Sequence, residues 1–347
     1  GLFDFAGGVS EALAAADSAI IAVSGKSGLT TGAKQSFQKA RALKKAVAFF
    51  VGKLDSTHAH FYRVISSLVA NYGAVICPVV IPYIENDEVK SYIDLITNKA
   101  YACEGLELKE LRMPVSNEAD EMRSMLLEAI ATADDALMEK YFAGEEFAPE
   151  EIIEGLKKGV ASGEICPVFA GIQQTGAAVP LMVDTLLKIL PSAADAVCRF
   201  EGGEEKAFDE NGENALFVFK TIADPFVGKL SYFRVLSGKI KNDSRLINNR
   251  TGAEERLSKI MWLKGGKQED AGEIIAGDIG SVSKLGNVLT GDTLSASGKL
   301  AAAAVEFPAP TISVAVYPKA KGDEEKITQA FSRLCEEDPT IKVYTDN

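Results

Sequence analysis

One short run carries residue types suited to gripping a phosphate. In "AIIAVSGKSGLTTGAKQSF", residues 19–37, the apolar stretch Ala19–Val23 feeds Gly25-Lys26-Ser27, and helix-forming residues follow. A phosphate-binding loop needs glycine, four residues, then Gly-Lys-Ser/Thr. That spacing lets consecutive backbone N–H groups curl around the phosphates at a helix N-terminus. Counting back five from Gly25 reaches Ile20, inside the strand, so the spacing predicts a plain strand-to-helix loop. Metal chemistry is no better supplied. His58 and His60 sit two apart in "STHAHFYRV", where a helix would turn them to different faces, and the five cysteines form no CxxC pair. No residue reads as a metal ligand or a covalent nucleophile.

The elements that must position any site fall into three regions. Over 347 residues, 47% hydrophobic and 25% charged, two or three well-buried domains are expected. Residues 1–200 alternate strand and helix: Ala19–Val23, Ala46–Val51, "VICPVVIPY" and "ICPVFAG" read as strands, with Gly32–Lys45, Ala59–Tyr72 and "AAVPLMVDTLLKIL" as helices. That alternation predicts a parallel sheet covered on both faces. Within it, "EADEMRSMLLEAIATADDALMEKYF" predicts one long amphipathic helix. After the polar linker "EGGEEKAFDENGEN" the period switches to two, and short strands with Gly, Asp and Asn turns predict a small β-barrel over 212–298. "ISVAVYP", "GDEEKITQAFSRLCEED" and "TIKVYTDN" then read as one β-α-β unit within 308–347. No apolar run approaches the roughly 18 residues of a membrane helix, and scattered cysteines suit a reducing, cytoplasmic setting. Net charge is −12 but uneven: 104–164 holds sixteen Asp/Glu against six Lys/Arg, whereas 227–267 holds ten Lys/Arg against three Asp/Glu. The basic stretch is either a phosphate-backbone surface or a solvated barrel face.

A second run completes the picture. "AFFVGKLD" ends a strand in Gly52-Lys53-Leu54-Asp55, one letter from the NKxD motif of GTP-binding proteins. There an Asp carboxylate accepts from guanine N1 and N2, a Lys stem lies over the base, and an Asn contacts base and neighbouring loops. The rest of the chain carries a specific likeness. "KTIADPFVGKLSYFRVLSGKI" and "AGDIGSVSKLGNVLTGDTL" resemble the second domain of elongation factor G, and "EFPAPTISVAVYPKAKGDEEKITQAFSRLCEEDPTIKVYTD" resembles the start of its third. "DFAGGVSEALAAADSAIIAV" resembles the segment after switch II. Leu137–Phe142 with Glu145-Glu146 resembles the insertion in the GTPase domain, and "EICPVFAGIQQTGAAVPLMVDTLLKILPS" resembles the stretch with the Gly-Ser-Ala guanine loop.

The resemblance implies a multi-domain α/β plus β fold. Its parts are an incomplete P-loop-type GTPase α/β domain (1–200) with a helical/strand insertion at about 85–160, a translation-factor β-barrel, and the start of a ferredoxin-like βαβ domain. "GLFDF" resembles the tail of Asp-Thr-Pro-Gly-His-Val-Asp-Phe, which makes the chain an internal fragment running from switch II into the third domain. P-loop, switch I and magnesium ligands would precede it. The resemblance further implies GTP or GDP with Mg²⁺ in the intact parent, with none bound by this fragment. Its nucleotide-contacting positions would be Gly1, Gly52, Lys53, Asp55, Gly171, Ile172 and Gln173, and it has no catalytic residue. Partners would be ribosomal RNA and the stalk proteins of the ribosome, with no membrane, no DNA and a monomeric state. Three departures stand out: Leu2 replaces the switch II His that positions water, Gly52 replaces Asn, and Gly171-Ile172-Gln173 replaces Gly-Ser-Ala. The expected activity is a translational GTPase of elongation, with negligible hydrolysis by this piece. A non-hydrolysing ribosome-binding pseudo-GTPase, or a ribosomal protection protein of the tetracycline-resistance type, stays open.

Overall fold

A computed structural model describes residues 4–224, 228–320 and 322–344. The chain forms two compact units, residues 17–191 and residues 1–16 with 192–347.

The first unit is built on a mixed sheet, parallel over one half and antiparallel over the other. Its strands are β1 (Ser18–Ser24), β2 (Ala46–Gly52), β3 (Ile76–Glu85), β4 (Glu88–Asp94), β5 (Lys99–Glu104), β6 (Glu107–Leu111) and β7 (Cys166–Ala170), in the order β1-β2-β7-β3-β4-β5-β6. β1, β2, β7 and β3 run parallel; β4, β5 and β6 extend that sheet as an antiparallel meander. The parallel strands read as unbroken apolar runs because both their faces are covered: Val47, Ala48, Phe49, Val51, Val168 and Phe169 are all buried. Helices α2 (Thr31–Ala42), α3 (Phe61–Tyr72), α4 (Asn117–Thr132), α5 (Asp135–Phe142), α6 (Pro149–Ser162) and α7 (Val179–Ile189) complete the unit, while α1 (Ala6–Ala15) belongs to the other.

The single long helix expected over 118–142 is two. Asp134 interrupts it, because its carboxylate accepts from the N–H groups of Ala136 and Leu137 (3.0 and 3.1 Å) and so starts α5 afresh. A short acidic side chain that competes for backbone N–H groups favours a cap over a helix interior.

The second unit contains the hairpin β8 (Val197–Arg199) and β9 (Glu205–Ala207). After it come β10 (Ala215–Asp224), β11 (Gly228–Ser237), β12 (Lys239–Lys241), β13 (Ser244–Asn248), β14 (Glu254–Leu257) and β15 (Ile260–Lys264). The last strands are β16 (Lys267–Asp270), β17 (Glu273–Ile275), β18 (Ile279–Ser283) and β19 (Thr293–Ser295). Eight of these form one antiparallel sheet, β14-β13-β19-β10-β11-β18-β15-β16, and β12 pairs with β17. The ladder stays open, as in a half-barrel, yet Leu246 and Leu257 from one end and Ile260 from the other pack into one cluster with Phe233, Val235, Ile274 and Leu294. The expected barrel core is therefore there, enclosed by curvature.

Helix α1 docks on this unit through polar contacts. Ser10 Oγ donates to the Glu306 carbonyl (2.8 Å), Arg234 Nη1 donates to the Ala15 carbonyl (2.9 Å), and Lys220 Nζ meets the buried Glu11 carboxylate at 2.6 Å. Burial pushes the Glu11 carboxyl above its ordinary 4.5; Lys220 pulls back only in part, and Asp338 adds to the rise. A raised carboxyl favours the fold below 4.5, and that contribution is lost as pH rises through the folded value. Glu11→Gln is thus expected to gain stability relative to the unchanged protein between pH 4 and pH 7, read from urea midpoints at the two pH values. Equal differences at both would contradict it.

In the third region helix α8 (Glu324–Glu337) forms as expected, but the segments 311–317 and 341–344 carry no strand. In a split β-α-β arrangement the two strands flanking the helix are separated by another strand, and an extended segment without a ladder partner has nowhere to place its N–H and C=O groups except water.

Candidate functional site

The sheet of the first unit ends, at the carboxyl edge of adjacent strands, in the loops that hold the candidate residues. Such edges are where open α/β sheets bind ligands. β2 ends in buried Gly52, and Lys53, the first residue of the loop after it, takes the left-handed conformation (φ 55°). Leu54 is buried and anchors the turn, so its neighbours Lys53 and Asp55 are both turned out to solvent. This explains the Lys-x-Asp spacing: one apolar pin holds two polar ends in place.

The loop after β7 lies alongside. Gly171 N–H donates to the Val51 carbonyl (3.1 Å), and Ile172 N–H donates to that of Ala177 (3.0 Å). From the exposed position 173, the Gln173 side chain reaches back across the strands, its Oε1 accepting from Lys53 N–H at 3.0 Å. Gly52, Lys53, Asp55, Gly171, Ile172 and Gln173 are thus brought to one edge. Gly1, and with it Leu2, lies outside the described residues.

The Gly25-Lys26-Ser27 turn is occupied with its own bonding. Ser24 Oγ accepts from the N–H groups of Lys26 and Ser27, both at 3.2 Å, so neither N–H is left pointing at a phosphate. Helix α2 starts further on, capped by Thr30. What this turn does instead is brace the neighbouring loop. Gly25 N–H donates to the Gly52 carbonyl (2.8 Å), and the Gly25 carbonyl accepts from His60 N–H (3.0 Å). A Cβ on Gly25 would come within 2.7 Å of Leu54 Cδ2, the pin of the Lys53–Asp55 turn. Sequence reading dismissed Gly25 with the failed phosphate motif; the only hint of its role is the glycine itself. It missed Tyr92 as well. This β4 side chain is buried, its hydroxyl finds no partner among the described residues, and burial raises its phenol, with the charges of Cys103 and Asp55 adding to the rise.

The basic stretch is less bare than its composition suggests. Among the described residues, eight of its ten Lys/Arg are ion-paired, with Lys229, Lys239, Lys241, Arg245, Arg250, Arg256, Lys259 and Lys264 all meeting a carboxylate. Arg234 is buried, its guanidinium over the Phe208 ring. Only Lys267 is both exposed and outside these pairs among the described residues. The five cysteines are free, no group of three His, Cys, Asp or Glu is placed to hold a metal among the described residues, and no helix there is long and apolar enough to cross a membrane.

A parallel sheet presenting a Lys-x-Asp loop beside a second glycine loop, followed in the same chain by an open antiparallel barrel, defines a multidomain translation-factor GTPase fold. Residues 1–192 match the family described as elongation factor Tu GTP binding domain. Residues 213–297 match elongation factor G domain 2, and residues 307–347 match elongation factor G, domain III. The chain belongs to the elongation-factor-G-like translational GTPases. It is similar to a protein of Thermus thermophilus of known crystal structure, at 29% identity and a TM-score of 0.84 over 98% of this chain. The chain spans about half the length (50%) of that protein.

Proposed function

We propose that this chain is the guanine-facing and barrel portion of a GTP-binding factor that acts on the ribosome during elongation, in the cytoplasm. The observation that carries the reading is the Lys53 N–H to Gln173 Oε1 bond, which joins the two loops able to grip a base at the sheet's carboxyl edge. Lys53 would lie over the base, Asp55 would accept from its N1 and N2 donors, and Gly171-Ile172-Gln173 would line it, the N–H groups of Gly171 and Ile172 being already given to the Val51 and Ala177 carbonyls. Phosphate and Mg²⁺ contacts would be made by the P-loop and switch segments of the family. The guanine loops fit such a nucleotide, whose γ-phosphate with its Mg²⁺ would supply the hydrolysable bond and the switch.

Calorimetric titration of the full-length protein with GDP, and with GTP plus Mg²⁺, tests this. Micromolar or tighter binding is expected; no heat from a folded protein would overturn it. Leu2 supports a second reading, a ribosome binder that does not hydrolyse, because leucine can neither donate to nor accept from an attacking water. Restoring His there raises ribosome-stimulated turnover if the switch is still in use and leaves it flat otherwise. Ribosomal RNA would be met by the barrel unit. With most of its cations already paired, binding there should fall only gently with added salt.

A further inference from the structure

Gly52 stands where the NKxD pattern has a side-chain amide, and the structure shows an amide at that place all the same. A Cβ built on Gly52 would lie 2.8 Å from Gln173 Oε1 and 3.0 Å from the Phe50 ring. The space an Asn at position 52 would enter is therefore taken by the end of Gln173, arriving from the loop after β7. The amide's orientation follows from its partner. Backbone N–H of Lys53 can only donate, so the oxygen must face it, and the NH₂ is left as the outward end. No acceptor takes that NH₂ among the described residues, and Gln173 is exposed.

We infer that Gln173 makes, from the opposite loop, the base contact for which Gly52 has no side chain. Lys53 N–H holds its oxygen, and its NH₂ donates to the acceptor edge of guanine, O6 and N7. This rests on the guanine reading above. The two loops divide the base by chemistry: Asp55 takes the N1 and N2 donors, and Gln173 serves the acceptors on the neighbouring edge. Gly52 is then a requirement of the arrangement, because any side chain there displaces Gln173. The two positions are a matched pair, and changing one alone breaks the match.

The test uses the full-length protein, titrated with GDP, 7-deaza-GDP (no N7) and 6-thio-GDP (a poorly accepting sulfur in place of O6, with N1–H and the 2-amino group kept for Asp55). Gln173→Ala is expected to weaken GDP about tenfold, the scale of one buried hydrogen bond with its bracing. The penalty for removing N7 or O6 should shrink in that variant, since the donor that sensed them is gone. Gln173→Glu keeps an acceptor for Lys53 N–H but has no donor, and should lose at least as much. Adding Gly52→Asn to Gln173→Ala should recover GDP affinity to within about threefold of the starting protein. Equal losses for all three ligands in Gln173→Ala would make Gln173 a brace only, and unchanged GDP affinity would make it idle; either overturns the inference. A control separates this from failure of the guanine reading. Asp55→Asn should move preference toward xanthosine diphosphate whether or not Gln173 touches the base. If folded, unchanged protein binds no GDP, both readings fall.

Discussion

Asp55→Asn in the full-length protein should lower GDP affinity by about a hundredfold or more and raise affinity for xanthosine diphosphate. The carboxylate is exposed at the sheet edge, beside a lysine whose backbone is already fixed by Gln173. A carboxylate accepting from N1–H and N2–H₂ makes two charge-assisted bonds, each stronger than a neutral pair. An Asn amide has one acceptor and one donor, so one contact is lost and an N–H meets the guanine amino group. Xanthine carries a carbonyl at that position and accepts instead. Because Leu54, not Asp55, pins the turn, the substitution should leave melting temperature unchanged. Competition between the two diphosphates, read by displacement of a fluorescent nucleotide, checks it. Parallel loss of both would mean the residue shapes the loop without reading the base.

Asp292→Ala should destabilise the barrel unit by about 1–3 kcal/mol, the range for leaving buried hydrogen-bonding groups unpaired, since Arg250 is half exposed and its freed charge can reach water. Its nearly buried carboxylate accepts from Arg250 Nε (2.6 Å) and Nη2 (2.9 Å), from Asn248 Nδ2 (2.8 Å) and from Leu289 N–H (2.9 Å). Burial works against the charge, but these hydrogen bonds and the charge of Arg250 outweigh it and hold the carboxyl below its ordinary 3.8. For a lowered carboxyl, the stabilisation is fully present above 3.8 and disappears as pH falls through the depressed value. Removing the side chain also strands the Asn248 amide, which is fully buried. Denaturant unfolding at neutral pH should show the loss, and the gap between variant and parent should close in acid. An unshifted midpoint would contradict the account.

The fold was largely legible because its strongest signals are local. Unbroken apolar runs such as "AVAFFV" announce strands buried on both faces, and period-two stretches with glycine turns announce the barrel. Where reading failed, a competing interaction lay outside the pattern's reach. The break at Asp134 depends on one carboxylate choosing two N–H groups over helix continuity. The strands beside α8 need a partner the described residues do not provide. In the candidate site, Lys53 and Asp55 were visible as a motif, because their spacing is set within four residues. The use of Gln173 was not, since its partner is 120 residues away and only the fold brings them within 3.0 Å. The basic stretch erred the same way: its cations could be counted in sequence, but several of the carboxylates that neutralise them come from outside it, such as Glu210, Asp292 and Glu336.

The polypeptide passes from one unit to the other twice, once near Ala16 and once near Pro191, because α1 is grouped with the barrel and not with the sheet that follows it in sequence. Residues 17–191 are, topologically, a loop inserted into the second unit. One protease cut at either crossing frees neither piece, and a fragment starting at Ser192 would leave Arg234 and Lys220 without the Ala15 carbonyl and Glu11 that they hold. Two covalent tethers, where beads on a string would have one, run between the units. Deletion mapping that treats the chain as consecutive modules will cut through one of them, whereas excising 17–191 and joining Ala16 to Ser192 through a flexible bridge respects the architecture.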